Sequence, residues 1–517
     1  VAALRQALVF AFAGGGSPEA FDDAIADASL PASTWDRGAF ARDVYLDELV
    51  ERSLVVRARG KTYPACKRYL ARVVGEPPRD ARNADTRRAI LEELASSAVH
   101  REALERVYVA ILRLRGLLCA ARQPAPRVRR VEILRASREV FELLASSFDG
   151  AASPLGRLRA FGAAVLAGKE YRRLADFLDH DEHLGTLDLR VRVGSDGEVR
   201  SLEIVALREN RENPFYTSLL GRLLVRLILF FRGYRTSSGE VAERLLSEVF
   251  SGIEDHVAAL FQVIGDTEVL LASLVMRDRA AEAGLAVSLP TMLDAGEALE
   301  LGGLYNPLLL AAGVKPVTCD VRAVAGGVVV VTGPNSGGKT RLLQALAIAQ
   351  MLAQSGLFAP VRQGRVPRAT GLFASLFEEA RADQPEGHLG MELIRIRRMF
   401  DDLDLGAFVV LDELCSGTNP SEGEEIARLV LSLLPELVGR AFVTTHLLQF
   451  AAKLAQDRPV PALDFIQVEL DAGDRPTYRF VPGVAKTSLA QKTAARLGVT
   501  REELLARIAA KQGSRGE

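Results

Sequence analysis

The chain has 517 residues, 48% of them hydrophobic and 25% charged, with a formal net charge of -1. At roughly 100–200 residues per domain this is material for about two to four domains, and the composition excludes a disordered, collagen-like or small disulfide-stapled protein. Aromatics are scarce at 6%, while Ala, Leu and Arg dominate the helical-looking stretches, a mix that favours a helix-rich, largely soluble chain.

The opening VAALRQALVFAFAGGG has the apolar look of a signal peptide but reads as a small helix before a glycine loop. Residues 1–80, with GGGS at 14–17 and PP at 77–78, form an N-terminal helical module of unassigned role. From 84 to 150 apolar residues recur at the 3–4 spacing of amphipathic helices. Ten arginines lie between Arg101 and Arg138 with few acids among them. They fit either a face turned to phosphate backbones or an ordinary solvated helix face. LDLRVRV (187–193) then alternates apolar and polar residues, GSDGE (194–198) supplies turn chemistry and VRSLEIV (199–205) follows, predicting a hairpin near 187–205. Arg190, Arg192 and Arg200 lie on or beside it. Long helices resume from 214 to 283, and no uninterrupted apolar run reaches the roughly 18–20 residues that span a bilayer. Cys66, Cys119, Cys319 and Cys415 are scattered without a metal or disulfide spacing, which points to a reducing cytoplasm.

From about 296 apolar strands alternate with helices, the pattern of an α/β domain with a mostly parallel sheet. Within it, VVVVTGPNSGGKT (328–340) sets G-x-x-x-x-G-K-T between a β-branched strand and a helix, the context of a phosphate-binding loop. Gly333, Pro334, Asn335, Ser336, Gly337 and Gly338 form the loop that would wrap the phosphates. Lys339 would reach the β/γ-phosphates and Thr340 would offer its hydroxyl to Mg²⁺. AFVVLDE (407–413) is an apolar strand ending in two acids: Asp412 would hold the Mg²⁺ shell through water and Glu413 would orient or deprotonate the attacking water. RAFVTTH (440–446) ends a third strand in His446, placed for the γ-phosphate or the water. No guanine-reading N/TKxD is present, so ATP is the expected nucleotide.

These segments resemble the MutS family of DNA mismatch-repair ATPases. TGPNSGGKT is similar to its phosphate loop, LDELCSGTNPSEG (411–423) to its Walker B strand and following loop, VTTH (443–446) to its switch histidine, SGLFAPV (355–361) to its G-x-F-V-P-A segment, and YRFVPGVAKTSLAQ (478–491) to its Y-x-x-x-x-G-x-x-x-x-S segment. The resemblance implies an ABC-type P-loop ATPase domain over 296–517 with C-terminal dimerisation helices. Ahead of it would lie core and lever helices over 81–295, bearing a reduced clamp hairpin. It further implies a homodimer that hydrolyses ATP with Mg²⁺ and binds double-stranded, mismatched or branched DNA, with no membrane partner. No segment before residue 80 resembles the mismatch-reading or connector domains, so a short form without the Phe-x-Glu wedge is expected. The one such spelling, at Phe377-Glu378-Glu379, falls inside the ATPase region, and the short form is expected to be without an Smr tail as well.

Three departures stand out. GHLGMEL (387–393) puts Gly387 where the family's γ-phosphate-contacting serine would be. Leu304-Tyr305-Asn306-Pro307 replaces Arg-x-His-Pro, and the NPSEG loop resembles the family's non-mismatch branch. Three other readings therefore stand beside DNA repair: an RNA- or ribosome-associated ATPase, a transporter's ATPase subunit lacking the LSGGQ-type signature, and a nucleotide-gated scaffold with little turnover.

Overall fold

A computed structural model describes residues 2–27, 30–120, 126–183, 186–193, 199–208, 238–376, 388–414, 420–458, 460, 462–486 and 499–513. Two units emerge: one gathers Val1–Ser29, Val56–Tyr69 and Ala89–Leu271, the other Leu30–Val55, Leu70–Arg88 and Ala272–Glu517. Segments from the first 80 residues thus enter both.

The first unit is mainly helical. The helix Ala98–Cys119 buries Leu104, Val107, Tyr108, Ile111, Leu114 and Leu118, a 3–4 spacing that makes one continuous apolar stripe. It packs with Pro126–Ser146, which in turn packs on Gly156–Ala167. There Gly162 allows close approach, since a Cβ would lie 2.5 Å from the Ala145 backbone nitrogen. The short strands β1 (Val56–Ala58) and β2 (Lys61–Tyr63) pair through Arg59 and Gly60, both at positive φ (48° and 75°), as a tight right-twisting hairpin requires. The predicted second hairpin is present as β3 (Thr186–Val193) and β4 (Val199–Arg208), antiparallel, with Leu189 opposite Ile204. Its tip at 194–198 and the apolar segment 214–231 lie outside the described residues.

The arginine-rich stretch resolves in favour of internal pairing. Arg101 meets Glu105, Arg113 meets Glu139, Arg115 meets Asp22, Arg135 meets Glu132 and Arg138 meets Glu142, at 2.8–3.3 Å. Arg129 is buried and donates to the backbone carbonyls of Ala11 and Phe12 and of Leu117 and Leu118. Arg122 lies outside the described residues.

A second buried polar group in this unit is Glu268, fully enclosed, whose carboxylate accepts the Cys66 N–H at 2.8 Å and the Tyr108 hydroxyl at 3.1 Å. Burial pushes its pKa up to about 7, against the pull of those two donors and of Arg115. The unfolded chain releases this proton near the usual carboxylate value of 4.5, whereas the folded one holds it to about 7. Glu268 therefore costs stability progressively as pH rises between those values, by about 3 kcal/mol in all. Glu268→Gln keeps an acceptor for Cys66 and gives Tyr108 a donor. It is expected to flatten that part of the stability–pH profile, and urea melts at pH 5 and pH 8 check this. Equal pH slopes in both proteins would contradict it.

The long helix Ser238–Glu282 contains, within Leu245–Glu282, a window long and apolar enough by composition to cross a bilayer, which the sequence reading did not register. That window is 78% buried within the protein, the condition of a core helix.

The second unit carries two sheets. β5 (Thr291–Leu293), β6 (Leu299–Leu304), β7 (Cys319–Ala323) and β9 (Gln363–Pro367) form a four-stranded sheet in the order β5-β9-β6-β7. The six-stranded sheet contains β8 (Gly327–Thr332), β10 (Leu372–Ser375), β11 (Ala407–Leu411), β12 (Val438–Thr444), β13 (Leu463–Leu470) and β14 (Pro476–Pro482), in the order β10-β11-β12-β8-β13-β14. Every neighbouring pair is parallel except β13 with β14. The expected α/β architecture is thus found. β8 and β11 are buried at every residue, because helices cover both faces of a parallel sheet. Val330, Val409, Leu411 and Val443 share one core with Leu431, Leu434 and Phe450 of the covering helices.

Candidate nucleotide site

The register of three adjacent strands builds the site. Leu411 pairs with Val443, and Val443 with Val330, so Asp412, Thr444 and the loop after Thr332 emerge together at the carboxyl edge. In open α/β sheets this edge is where ligands bind. The loop leads into the helix Lys339–Gln354, whose buried faces anchor it in the unit core.

The glycines are demanded by geometry. Gly333 and Gly338 have φ of 140° and 88°. A Cβ on Gly333 would sit 2.6 Å from Val468 Cγ2, and one on Gly337 would sit 2.9 Å from the same atom and from the Pro334 carbonyl oxygen. Asn335 and Ser336 are exposed at the loop's crest, Ser336 with φ of 63°.

Lys339 is 5% exposed, and its Nζ donates to the carbonyls of Gly333 and Pro334 at 3.1 and 3.2 Å. Burial pushes its pKa down, opposed by the charges of Glu413 and Asp412. The Asp412 carboxylate accepts the Thr340 hydroxyl on one oxygen and the Thr444 hydroxyl on the other. Thr444 Oγ1 in turn accepts the Glu413 N–H at 2.7 Å. Glu413 has φ of 51°, a left-handed conformation that a non-glycine residue adopts at a cost of about 1–3 kcal/mol. That cost is sustained because Thr444 and the buried strand fix the backbone on both sides.

Thr444 was not singled out from sequence, although its place beside His446 at the end of an apolar strand was visible. His446 itself lies on the exposed loop after β12 and does not line the cleft. Gly387, the loop 415–419 with Cys415, the 377–379 spelling and Ser488 lie outside the described residues.

Glu413, Lys339 and Thr340 open onto a cleft of about 720 Å³. Its opposite wall is apolar, made by Tyr305, Leu309, Val314, Pro316, Val317 and Phe480. Asn306, where the family pattern has histidine, caps the helix Pro307–Ala311: its Oδ1 accepts the Leu308 N–H, and its Nδ2 donates to Arg341 O and Gln344 Oε1. Its polar atoms are engaged, so the wall meets a ligand mainly with apolar surface. Tyr478, at φ of 62°, stands beside Gly338.

Comparison with known families agrees with this geometry, matching residues 329–511 to MutS domain V. This region is a MutS domain V. The chain is also 30% identical over 283 residues to an endonuclease MutS2 of Thermus thermophilus, covering 54% of this chain and 36% of the relative. To the endonuclease MutS2 of Streptococcus thermophilus it is 31% identical over 263 residues, covering 50% and 32%. To that of Streptococcus gordonii it is 30% identical over 285 residues, covering 54% and 35%. The chain therefore spans about a third of the length of the curated relatives it matches. The MutS ATPase domain here follows a largely helical region, and the phosphate loop, Asp412, Glu413 and Thr444 all lie within the matched residues.

Proposed function

We propose that this chain is a MutS-type ATPase, acting as a homodimer on mismatched, branched or distorted DNA and switching its grip with the nucleotide state. The observation that carries the reading is the joint placement of Lys339, Thr340, Asp412 and Glu413 at one strand edge facing an apolar-walled cleft. The donor set suits a hard cation: a threonine hydroxyl and a carboxylate that already touch, beside a lysine that can face phosphate. Thr340 and Asp412 would hold Mg²⁺, which when bound with ATP draws charge from the β- and γ-phosphate oxygens.

The chain's own residues do the rest. The apolar wall receives the base, the backbone N–H groups of 333–340 cradle the phosphates, and Lys339 offsets negative charge on the leaving ADP and the γ-phosphoryl group. Glu413 orients a water in line with the γ-phosphorus and takes its proton as the new O–P bond forms and the bridging O–P bond breaks. His446, exposed on the loop after β12 and outside the cleft lining, is kept as the candidate second contact to the γ-phosphate or the water. The helix Arg501–Gly513, exposed over 501–507 with Leu504 and Leu505 at its surface, supports pairing of two copies. The free thiols Cys66, Cys119 and Cys319 fit a cytoplasmic setting. The endonuclease activity in the relatives' names is not carried over, since the matched span is only about a third of each.

Steady-state ATP hydrolysis with no nucleic acid, homoduplex, single-mismatch duplex, four-way junction and structured RNA tests this reading. Junction DNA is expected to stimulate several-fold more than homoduplex, because binding would follow backbone charge and DNA shape. Coupling requires DNA to bind the two nucleotide states unequally. Stimulation by RNA alone would move the protein to an RNA-associated role, and no turnover with any of them would leave a nucleotide-gated scaffold.

A further inference from the structure

We propose that Asp43 is a positioning residue for the Asp412 side of the nucleotide site, the buried acceptor that pins the exit of β10. The inference rests on reading the cleft as an ATPase site. Among the described residues β10 is the edge strand of its sheet, four residues long and paired with β11. No second strand among the described residues holds its far side, so its end needs another anchor.

Asp43 supplies that anchor from the segment Leu30–Val55, which folds into the same unit. Its Oδ1 accepts the Leu376 N–H at 2.8 Å, where the chain leaves β10, and the side chain is only 8% exposed. The preceding residue, Ser375, accepts the Asp412 N–H on its carbonyl oxygen at 2.8 Å. Its hydroxyl accepts from Arg395 Nη1 at 2.9 Å. A polar chain therefore runs from Asp43 through Leu376 and Ser375 to Asp412, whose two carboxylate oxygens must face Thr340 and Thr444 together.

Asp43 is itself rigidly held. Phe40 and Val44 are fully buried, and Leu46 N–H closes the turn onto Ala41 O at 2.9 Å through Tyr45, which has φ of 54°. Trp35 stands edge-on to Phe40 and donates to the Gly75 carbonyl at 2.9 Å. An acceptor on so fixed a turn holds the N–H in one place, which an exchanging water would not. A shift of even 1 Å at Ser375 would turn the Asp412 carboxylate away from Thr340.

The test uses the full chain with Asp43→Ala and Asp43→Asn, read in two ways. The first is steady-state hydrolysis against ATP and Mg²⁺ separately; the second is hydrogen exchange of 372–376 and 408–414 with neither nucleotide nor metal present. Asp43→Ala is expected to lower kcat about tenfold or more and raise the Mg²⁺ needed for half-activation several-fold, with the KM for ATP within about threefold. Exchange should accelerate in those two segments and not across 328–332. Asp43→Asn, which keeps a side-chain oxygen for Leu376, should recover most of both readouts. An alanine variant with wild-type kcat, Mg²⁺ dependence and exchange overturns the inference, as does equal impairment of both variants. Should the alanine variant not fold, Asp43→Ser, whose shorter side chain withdraws the acceptor, bears the same comparison. A wild-type chain that hydrolyses no ATP overturns the functional reading and this inference with it, whereas active wild type beside fully active Asp43→Ala overturns this inference alone.

Discussion

Replacing Glu413 by Gln is expected to lower kcat for ATP hydrolysis by about 10²–10⁴-fold, the range set by loss of a positioned general base. Glutamine has the same shape, so the backbone at φ of 51° and the N–H donated to Thr444 stay as they are. The Asp412, Thr340 and Thr444 hydroxyl network does not include the Glu413 side chain, so the cation ligands should also survive. What disappears is the proton acceptor facing the cleft, together with one negative charge near the polyphosphate. The second change favours ATP, so affinity should hold or tighten while turnover collapses. Single-turnover hydrolysis paired with equilibrium ATP binding checks the split. Hydrolysis within tenfold of wild type would place the base elsewhere, with His446 the next group to test. A parallel loss of binding would instead mean that Glu413 shapes the loop.

The chemistry-bearing loops were legible because their requirements are local. G-x-x-x-x-G-K-T between a strand and a helix writes out positive φ at Gly333 and Gly338 within one short segment. The apolar run of β11 announces a strand covered on both faces, and its two terminal acids announce the edge. Thr444 was less visible, since its role depends on strand order: only with β12 between β11 and β8 does its hydroxyl fall on Asp412. Asp43 carried no signal at all, lying 333 residues from the amide it holds. The arginine stretch left two readings open for a related reason. Local i,i+3 and i,i+4 partners such as Glu105, Glu132 and Glu142 stand beside some of these cations in the sequence, but Asp22 and Glu139 reach Arg115 and Arg113 only through the fold. For Arg113 and Arg115 the pairing is long-range, and a sequence pattern of charge alone does not contain it.

Arg129→Met is expected to destabilise the helical unit by about 2–4 kcal/mol. Arg129 Nη1 and Nη2 donate to Ala11 O at 3.0 Å and to Phe12 O at 2.9 Å, and Nη1 also reaches Leu117 O and Leu118 O at 3.3 and 3.4 Å. All four carbonyls belong to the last turns of the helices Ala2–Gly14 and Ala98–Cys119, where carbonyls run short of intrahelical donors. One planar guanidinium thus caps two helix C-termini and meets the negative ends of both dipoles. The opposing effect is real: burial, and secondly Arg130, push the Arg129 pKa down, and no carboxylate offsets that burial. Methionine removes this desolvation but strands the carbonyls of Phe12 and Leu117, one at each helix end, at about 1–3 kcal/mol for each unpaired group. Ala11 keeps the Gly15 N–H at 2.9 Å and Leu118 keeps the Gly16 N–H at 2.8 Å. The carbonyl losses exceed the relief because they arise at two helix ends together and an apolar side chain can repair none of them. Arg129→Lys should recover only part, since an ammonium cannot span both ends in the plane that the fork occupies. Urea melts followed on the first unit's transition give the difference directly. A methionine variant within 0.5 kcal/mol of wild type would mean that water reaches the stranded carbonyls and that the buried cation contributes nothing net.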